Sequence, residues 1–555
     1  MIRLPCLVAT LLVIAPLPAF AEGKAVEAKS GMVVSVSAPA SEVGVAVLKN
    51  GGNAVDAAVA TAFALAVTYP QAGNIGGGGF MLVHPATGEP TCIEYRETAP
   101  AAAKRDMFAK QKGEYGHLVV GTPGTVRGLA LAHQKYGRLP WKEVVLPAVK
   151  LAEEGFALDA HNARELNSLV RSSPGFPELI RAFGKNGGKD SWQPGDRLVQ
   201  PDLARTLRLI AEHGPDAFYN GPIADQIAVE MKSGGGLITK NDLEHYTARE
   251  RRPIHGTYRG YDIYGPPPPS SGGIAVVETL NILENFDFRP RGRYSPETVH
   301  LMAEAMRRTF ADRARYLGDP DFTKIPEKLT SKEYARDLAK GIVAGRATPS
   351  AELAPDVPLA PEGDSTTHFS VIDKDGMAMS NTYTLEHSFG SKVVVRGAGF
   401  LLNNEMCDFN WRPGVTDRKG GIGTEANTVA AGKRMLSSQT PTIVAKGGKP
   451  LLITGSPGSR TIINTVLCVM INVIDFGMDV QSAVDAPRMH HAWFPDRIDM
   501  ERVKEHPDLV RALESIGHQV HGQRQGDAHS IWIDPKTGTY HGAADSRIMG
   551  KALGY

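Results

Sequence analysis

From Ala54 to about Val67 the chain is apolar on nearly every side, with Ala57, Ala58, Val59, Ala60, Phe63, Ala64 and Leu65 in succession and Asn53 placed as an N-cap. A helix without a polar face has no surface to present to water. Its small side chains suit close packing against a sheet, so both sides of it must be covered. Residues 462–474 form a second apolar helix, too short to cross a bilayer. Two such helices require a layered fold in which sheets pack between helices.

The rest of the chain supplies those layers. Ser41 is placed to cap a helix that stops at Asn50-Gly51-Gly52. Gly76-Gly77-Gly78-Gly79 leads into the strand Phe80-Met81-Leu82-Val83. A phosphate cradle would open a helix, so this glycine run predicts close backbone packing instead. Residues 121–346 read as mainly helical, with Ser295-Pro296-Glu297 a well-formed helix start and a loop at Pro266 to Gly273. Residues 347–364 are rich in Pro, Ala and acid and predict an exposed, mobile segment. Hairpins follow, one turning at Asp373-Lys374-Asp375-Gly376 and another at Lys446-Gly447-Gly448-Lys449. No internal repeat is present.

Charge narrows the function classes. Among 555 residues, 61 Lys and Arg balance 60 Asp and Glu, which gives no reason to expect nucleic acid or an anionic membrane as partner. Arg3, the apolar run of residues 7–14 and Ala19-Phe20-Ala21 predict a cleaved export signal over residues 1–21, hence a periplasmic or secreted protein without a membrane span. Once Cys6 leaves with the signal, Cys92, Cys407 and Cys468 make no disulfide framework, and no paired zinc spacing occurs. His490-His491 reads as structural. No metal or organic cofactor is called for.

The chemistry lies at Asp364-Ser365-Thr366-Thr367-His368-Phe369-Ser370, where the acid- and Pro-rich segment gives way to a strand. A threonine hydroxyl is a poor nucleophile unless a base stands beside it, and a threonine at a free N-terminus carries that base as its own α-amine. Such an amine titrates near ~7.7–8.0 and is partly neutral at physiological pH. Scission of Ser365–Thr366, through attack by the Thr366 hydroxyl on the preceding carbonyl, would create it. The loop Gly455 to Ser459 runs into the second apolar helix, whose first N–H groups attract negative charge. By itself, though, Thr366 could equally be a threonine at the start of a strand.

Residues 366–373 resemble the start of the small subunit of γ-glutamyltranspeptidases, and the resemblance extends over residues 35–555. Its markers include Asn50 to Ala57, Asn74 to Gly78, Gly121 to Val126, Pro269 to Gly273, Leu317 to Phe322, Leu401 to Asn404, Gly455 to Gly458 and Ala486 to Arg488. The resemblance implies an α+β fold, a four-layer αββα sandwich of the N-terminal-nucleophile hydrolase type with a helical excursion. It implies a large subunit (22–365) and a small catalytic subunit (366–555) that stay associated as an intertwined heterodimer. The expected reaction takes the γ-glutamyl group of glutathione or related amides onto Thr366 and passes it to water, amino acids or dipeptides.

Carried over residue by residue, Thr384 would orient Thr366, and Gly458 and Ser459 would hold the oxyanion. Arg96 with Ser437 and Ser438 would bind the donor's α-carboxylate, while Glu405 and Asp408 would receive its α-ammonium. The chain departs from the common pattern at Ser459, where a second glycine is usual, and at Glu386, where many members have asparagine near the ammonium. Residues 411–428 resemble a lid loop, with Lys419 where some members have an aromatic gate. Two other readings stand beside this one: a β-lactam side-chain (glutaryl) acylase or poly-γ-glutamate-cleaving enzyme on the same fold, and an exported binding protein that never matures.

Overall fold

Two seven-stranded sheets form the centre of the molecule. A computed structural model describes residues 23–354, 366–416, 418–419 and 422–555; the expected export signal and Ser365 lie outside them. One sheet runs in the order Lys551–Gly554, Gly31–Ser35, Thr367–Asp373, Ala378–Thr384, Gly78–His84, Thr91–Glu94 and Arg249–Arg251. The other runs Val26–Ala28, Tyr540–Ala544, His529–Ile533, Lys449–Thr454, Thr442–Lys446, Tyr261–Gly265 and Ile254–Tyr258. Each sheet takes strands from both sides of residue 366. The sheets face one another across a thin core that includes Met32, Val34, Phe80, Leu82, Ile372, Ile453 and Ile531.

Helices cover the outer faces and complete the αββα arrangement. The helix Ala54–Thr68 is buried along its whole length, as its composition demands, and opens with a capping box between Asn53 and Asp56. Helices Gly272–Leu283 and Thr461–Ile474 share a second large core with Pro296–Tyr316 on the far side. The excursion of helices between Thr125 and Glu244 extends the first core.

Two expectations need correction. The first helix is Ala38–Lys49, with Ser37 at the N-cap position and Pro39 inside its first turn. Ser41 is instead a buried interior residue whose hydroxyl lies 2.8 Å from that of Ser35 and donates to the Lys551 carbonyl (2.9 Å). Proline's fixed φ outranks the serine as a start signal. The stretch 121–346 is mainly helical, as expected, and the short strands Phe156–Ala157, Arg197–Leu198, Arg249–Arg251, Ile254–Tyr258 and Tyr261–Gly265 lie within it. Before the segment that lies outside the described residues, Ser350–Leu353 is a helical turn with Ser350 buried, its N–H donating to Asp496 (2.8 Å). The expected exposure is therefore interrupted at the buried Ser350 and Ala354, and the rest of the expected segment, 355–364, lies outside the described residues.

Candidate active site

The strand Thr367–Asp373 pairs antiparallel with Ala378–Thr384 in a register that sets Thr367 against Tyr383. One step further, Thr366 stands opposite Thr384. Gly78–His84 flanks the other edge, with Gly78 against Thr384. The glycine run is needed for this approach. A Cβ on Gly77 would lie 2.0 Å from the Thr384 carbonyl oxygen, and one on Gly79 2.5 Å from that of Thr382. Asn74 ties the junction together: its Nδ2 donates to the Thr384 carbonyl (2.9 Å), and its Oδ1 accepts from Gly77 N–H (2.9 Å) and the Thr125 hydroxyl (2.7 Å).

A small pocket opens at this junction, lined by Arg96, Thr366, Thr384, Glu386, Asp408, Ser437, Ser438, Gln439, Ser459 and Ile462. Most of the residues named from sequence therefore meet in one place. Thr366 is 8% exposed. The Thr384 hydroxyl accepts the Glu386 N–H (2.8 Å), which fixes its orientation. Gly458 and Ser459 immediately precede Arg460, the N-cap of the helix Thr461–Ile474. Gly458 has φ +124°, and a Cβ there would lie 2.5 Å from Thr461 Oγ1. Ser459 accepts a left-handed φ of +51°, so the residue in the usual glycine's place keeps a glycine-like backbone.

Residues assigned to opposite ends of a substrate touch each other here. The fully buried Arg96 guanidinium contacts Glu405 (2.5 Å), Asp408 and Glu97 (3.5 Å). It also donates to the carbonyls of Met435 (3.3 Å) and Leu436 (3.4 Å). Glu405 sits behind the pocket wall, fully buried, with its N–H on Asn403 Oδ1 (3.0 Å). One guanidinium thus faces three carboxylates. Burial pushes the Glu405 and Glu97 carboxyls up, and Arg96 only partly counters it. Raised in this way, these carboxyls tend to hold their protons, and a second cation entering beside them would favour their ionised forms.

Glu386, with φ +78°, turns its carboxylate to His387 Nδ1 (2.9 Å), and His387 Nε2 lies 3.1 Å from Glu114. Burial opposes charge on this ring, but the hydrogen bonds it donates to Glu114 and Glu386, with their charge, outweigh it and raise its pKa to about 10. The negative charge that Glu386 adds is therefore met by a histidinium behind it. In the lid-like segment, Trp411 stacks on Phe108 (ring centroids 4.5 Å apart), and Asn427 Nδ2 donates to the Asp408 carbonyl (2.6 Å).

Sequence reasoning missed Glu97, His387, Asn403 and Arg313. Asn403 donates to the carbonyls of Gly76 and Gly121 (both 2.8 Å) and so joins two of the motif loops. His387 follows Glu386 directly, which was a usable signal. Nothing in the sequence connects Arg313 to the pocket. His490 and His491 are buried in a structural role, with burial lowering their pKa values to about 3 and about 4.

Comparison with known proteins matches residues 40–555 to the family described as Gamma-glutamyltranspeptidase. The Glutathione hydrolase proenzyme of Escherichia coli (strain K12) is 50% identical over 535 residues, covering 94% of this chain and 91% of that protein. The crystal structure of a cephalosporin acylase from Bacillus halodurans superposes with a TM-score of 0.86 at 29% identity, covering 99% of both chains. That of Helicobacter pylori gamma-glutamyltranspeptidase gives 0.56 at 41% identity over 61% of this chain and 97% of that one.

Proposed function

The chain belongs to the γ-glutamyltranspeptidase family, and from that premise and the pocket we propose how it acts as an autoprocessed γ-glutamyl hydrolase and transferase on glutathione-type amides. The observation that carries the reading is the single pocket in which Thr366 and Thr384 stand beside a helix N-terminus and groups of both charges.

Maturation begins when Thr366 Oγ attacks the Ser365 carbonyl carbon. The Ser365–Thr366 C–N bond breaks, and water cleaves the resulting ester, leaving Thr366 with a free α-amine. In the mature site that amine takes the Thr366 hydroxyl proton as Oγ attacks the γ-carbonyl of the donor. The oxyanion develops at Gly458 and Ser459, where N–H donors are worth ~3–4 kcal/mol. The C–N bond of the donor breaks, the departing amine takes up the proton, and a γ-glutamyl-threonine ester remains. Water, or the amine of an amino acid or dipeptide, attacks that ester and restores Thr366.

The donor's two charged groups meet their complements in the same pocket. The α-ammonium enters among the carboxyl groups of Glu405, Asp408 and Glu386, where its charge would favour their ionised forms; the α-carboxylate meets Ser437, Ser438 and the Arg96 edge. Among the described residues no helix is long and apolar enough to cross a membrane; we place the mature pair of subunits in the periplasm or outside the cell.

A denaturing gel and intact mass test the reading. Wild-type protein gives two chains with threonine at the new N-terminus, whereas Thr366→Ala stays one chain and fails to hydrolyse a γ-glutamyl anilide. Processing of Thr366→Ala refutes the assignment. The similarity to a cephalosporin acylase favours one second reading, in which a glutaryl amide is the donor. A glutaryl group lacks the ammonium that the acidic wall would match. Faster turnover of a glutaryl amide than of glutathione would establish that reading instead.

A further inference from the structure

Ser437 and Ser438 each receive a hydrogen bond from the protein. Ser437 Oγ accepts the Gln439 N–H (3.1 Å), and Ser438 Oγ accepts from Arg313 Nη2 (2.8 Å). A hydroxyl has one proton and two lone pairs. With a protein donor on one lone pair, each hydroxyl keeps its own proton to offer to an acceptor. Both line the pocket, where a carboxylate could take that proton as a hydrogen bond.

Arg313 reaches Ser438 from the last turn of the helix Pro296–Tyr316 and is 3% exposed. Its Nε donates to Ser271 Oγ (3.0 Å). Ser271 in turn donates to the Ser437 carbonyl through both its hydroxyl (2.7 Å) and its N–H (2.8 Å). One guanidinium therefore braces both residues of the serine pair. A charged donor polarises the hydroxyl it contacts, and the bond that hydroxyl then makes is strengthened. Arg96, the other cation of the pocket, already serves three carboxylates and two carbonyls.

We propose that Arg313 is a positioning residue for the α-carboxylate of the γ-glutamyl donor, locking Ser438 as a hydrogen-bond donor and setting a buried positive charge one hydroxyl away from the anion. The inference rests on the γ-glutamyl reading above. It makes selection for the carboxylate a joint property of Arg313 and the serine pair.

The test compares γ-glutamyl-4-nitroanilide with 4-aminobutanoyl-4-nitroanilide, the same donor without its α-carboxylate, on mature enzyme. Because a hydrogen bond to a charged group supports about a tenfold effect or more, Arg313→Met should raise KM for the γ-glutamyl anilide about tenfold with little change in kcat. The kcat/KM for the aminobutanoyl anilide should hold, so the preference between the two falls by the same factor. Arg313→Lys keeps the charge and should recover part of the preference. Ser438→Ala should lose part of the preference alone, and adding Arg313→Met to it should cost less than Arg313→Met costs in the wild type. An equal loss on both substrates, or an unchanged preference, overturns the inference. If Arg313→Met fails to mature, Ser438→Ala decides: full preference retained there overturns it too. A wild-type enzyme inert toward the γ-glutamyl anilide would instead refute the reading on which this one rests.

Discussion

Gly77→Ala tests whether the glycine run exists to bring one backbone against another at the nucleophile. The added Cβ would lie 2.0 Å from the Thr384 carbonyl oxygen and 2.8 Å from Asn74 Oδ1. An ordinary C···O contact is about 3.3 Å, so the Thr384 strand end and the Gly77 loop must separate by roughly 1 Å or more. Neither side is free to yield. The Gly77 carbonyl accepts from Gly124 N–H (2.7 Å) and Thr125 N–H (2.9 Å), and the Thr384 carbonyl accepts from Asn74 (2.9 Å). Overpacking of this kind costs about 1–3 kcal/mol. The larger effect falls on chemistry, because a displacement of ~1 Å in a reacting constellation can cost about 10²-fold in rate. Maturation, followed on a denaturing gel after synthesis, and anilide hydrolysis by any matured fraction should both fall by about two orders of magnitude. Thermal unfolding should move down by only a few degrees. Gly113→Ala serves as control, since nothing lies within 4 Å of a Cβ there. If Gly77→Ala matures and turns over like the control, the glycine run does not set the Thr384 geometry and the reasoning is refuted.

Two further outcomes follow from buried charge. Arg96→Ala strands Glu97, Glu405 and Asp408 without their guanidinium, and breaking such a buried pair costs about 3–5 kcal/mol; a lowered melting temperature should accompany weakened donor binding, and an unchanged one would show that the cluster is solvated. For His387 the sign runs with pH: a ring raised from 6.5 to about 10 stabilises the folded state fully below about 6.5 and loses that contribution as pH climbs toward 10. The rise caps the contribution at about 5 kcal/mol, so the melting temperature should decline between pH 7 and 10 in the wild type. The decline should be shallower in His387→Gln, and parallel curves would contradict the assignment.

Much of the architecture was legible because it rests on local rules. The all-apolar helix after Asn53 had nowhere to go but between layers, and the Asp373 to Gly376 turn fixed which strands pair beside Thr366. Where two local signals competed, reading failed: Pro39 set the first helix start ahead of Ser41, and five short strands went unresolved among the helices of 121–346. In the site, residue types and motif order were enough to name most of the pocket lining. They could not show that Arg96 lies against Glu405 and Asp408, because those residues are more than 300 positions apart and meet only when the loops close.

What the sequence supplies alone is an inventory: a threonine whose hydroxyl would acquire a base if the chain broke before it, glycines where backbones approach, and acids and cations enough for a zwitterionic ligand. Tertiary structure decided how those charges are shared. Folding set one guanidinium among three carboxylates, a histidine between Glu386 and Glu114, and Arg313 behind Ser438. The physical reason is that a side chain's identity fixes its charge and hydrogen-bonding capacity, whereas burial and distance, which set what that charge does, exist only in three dimensions.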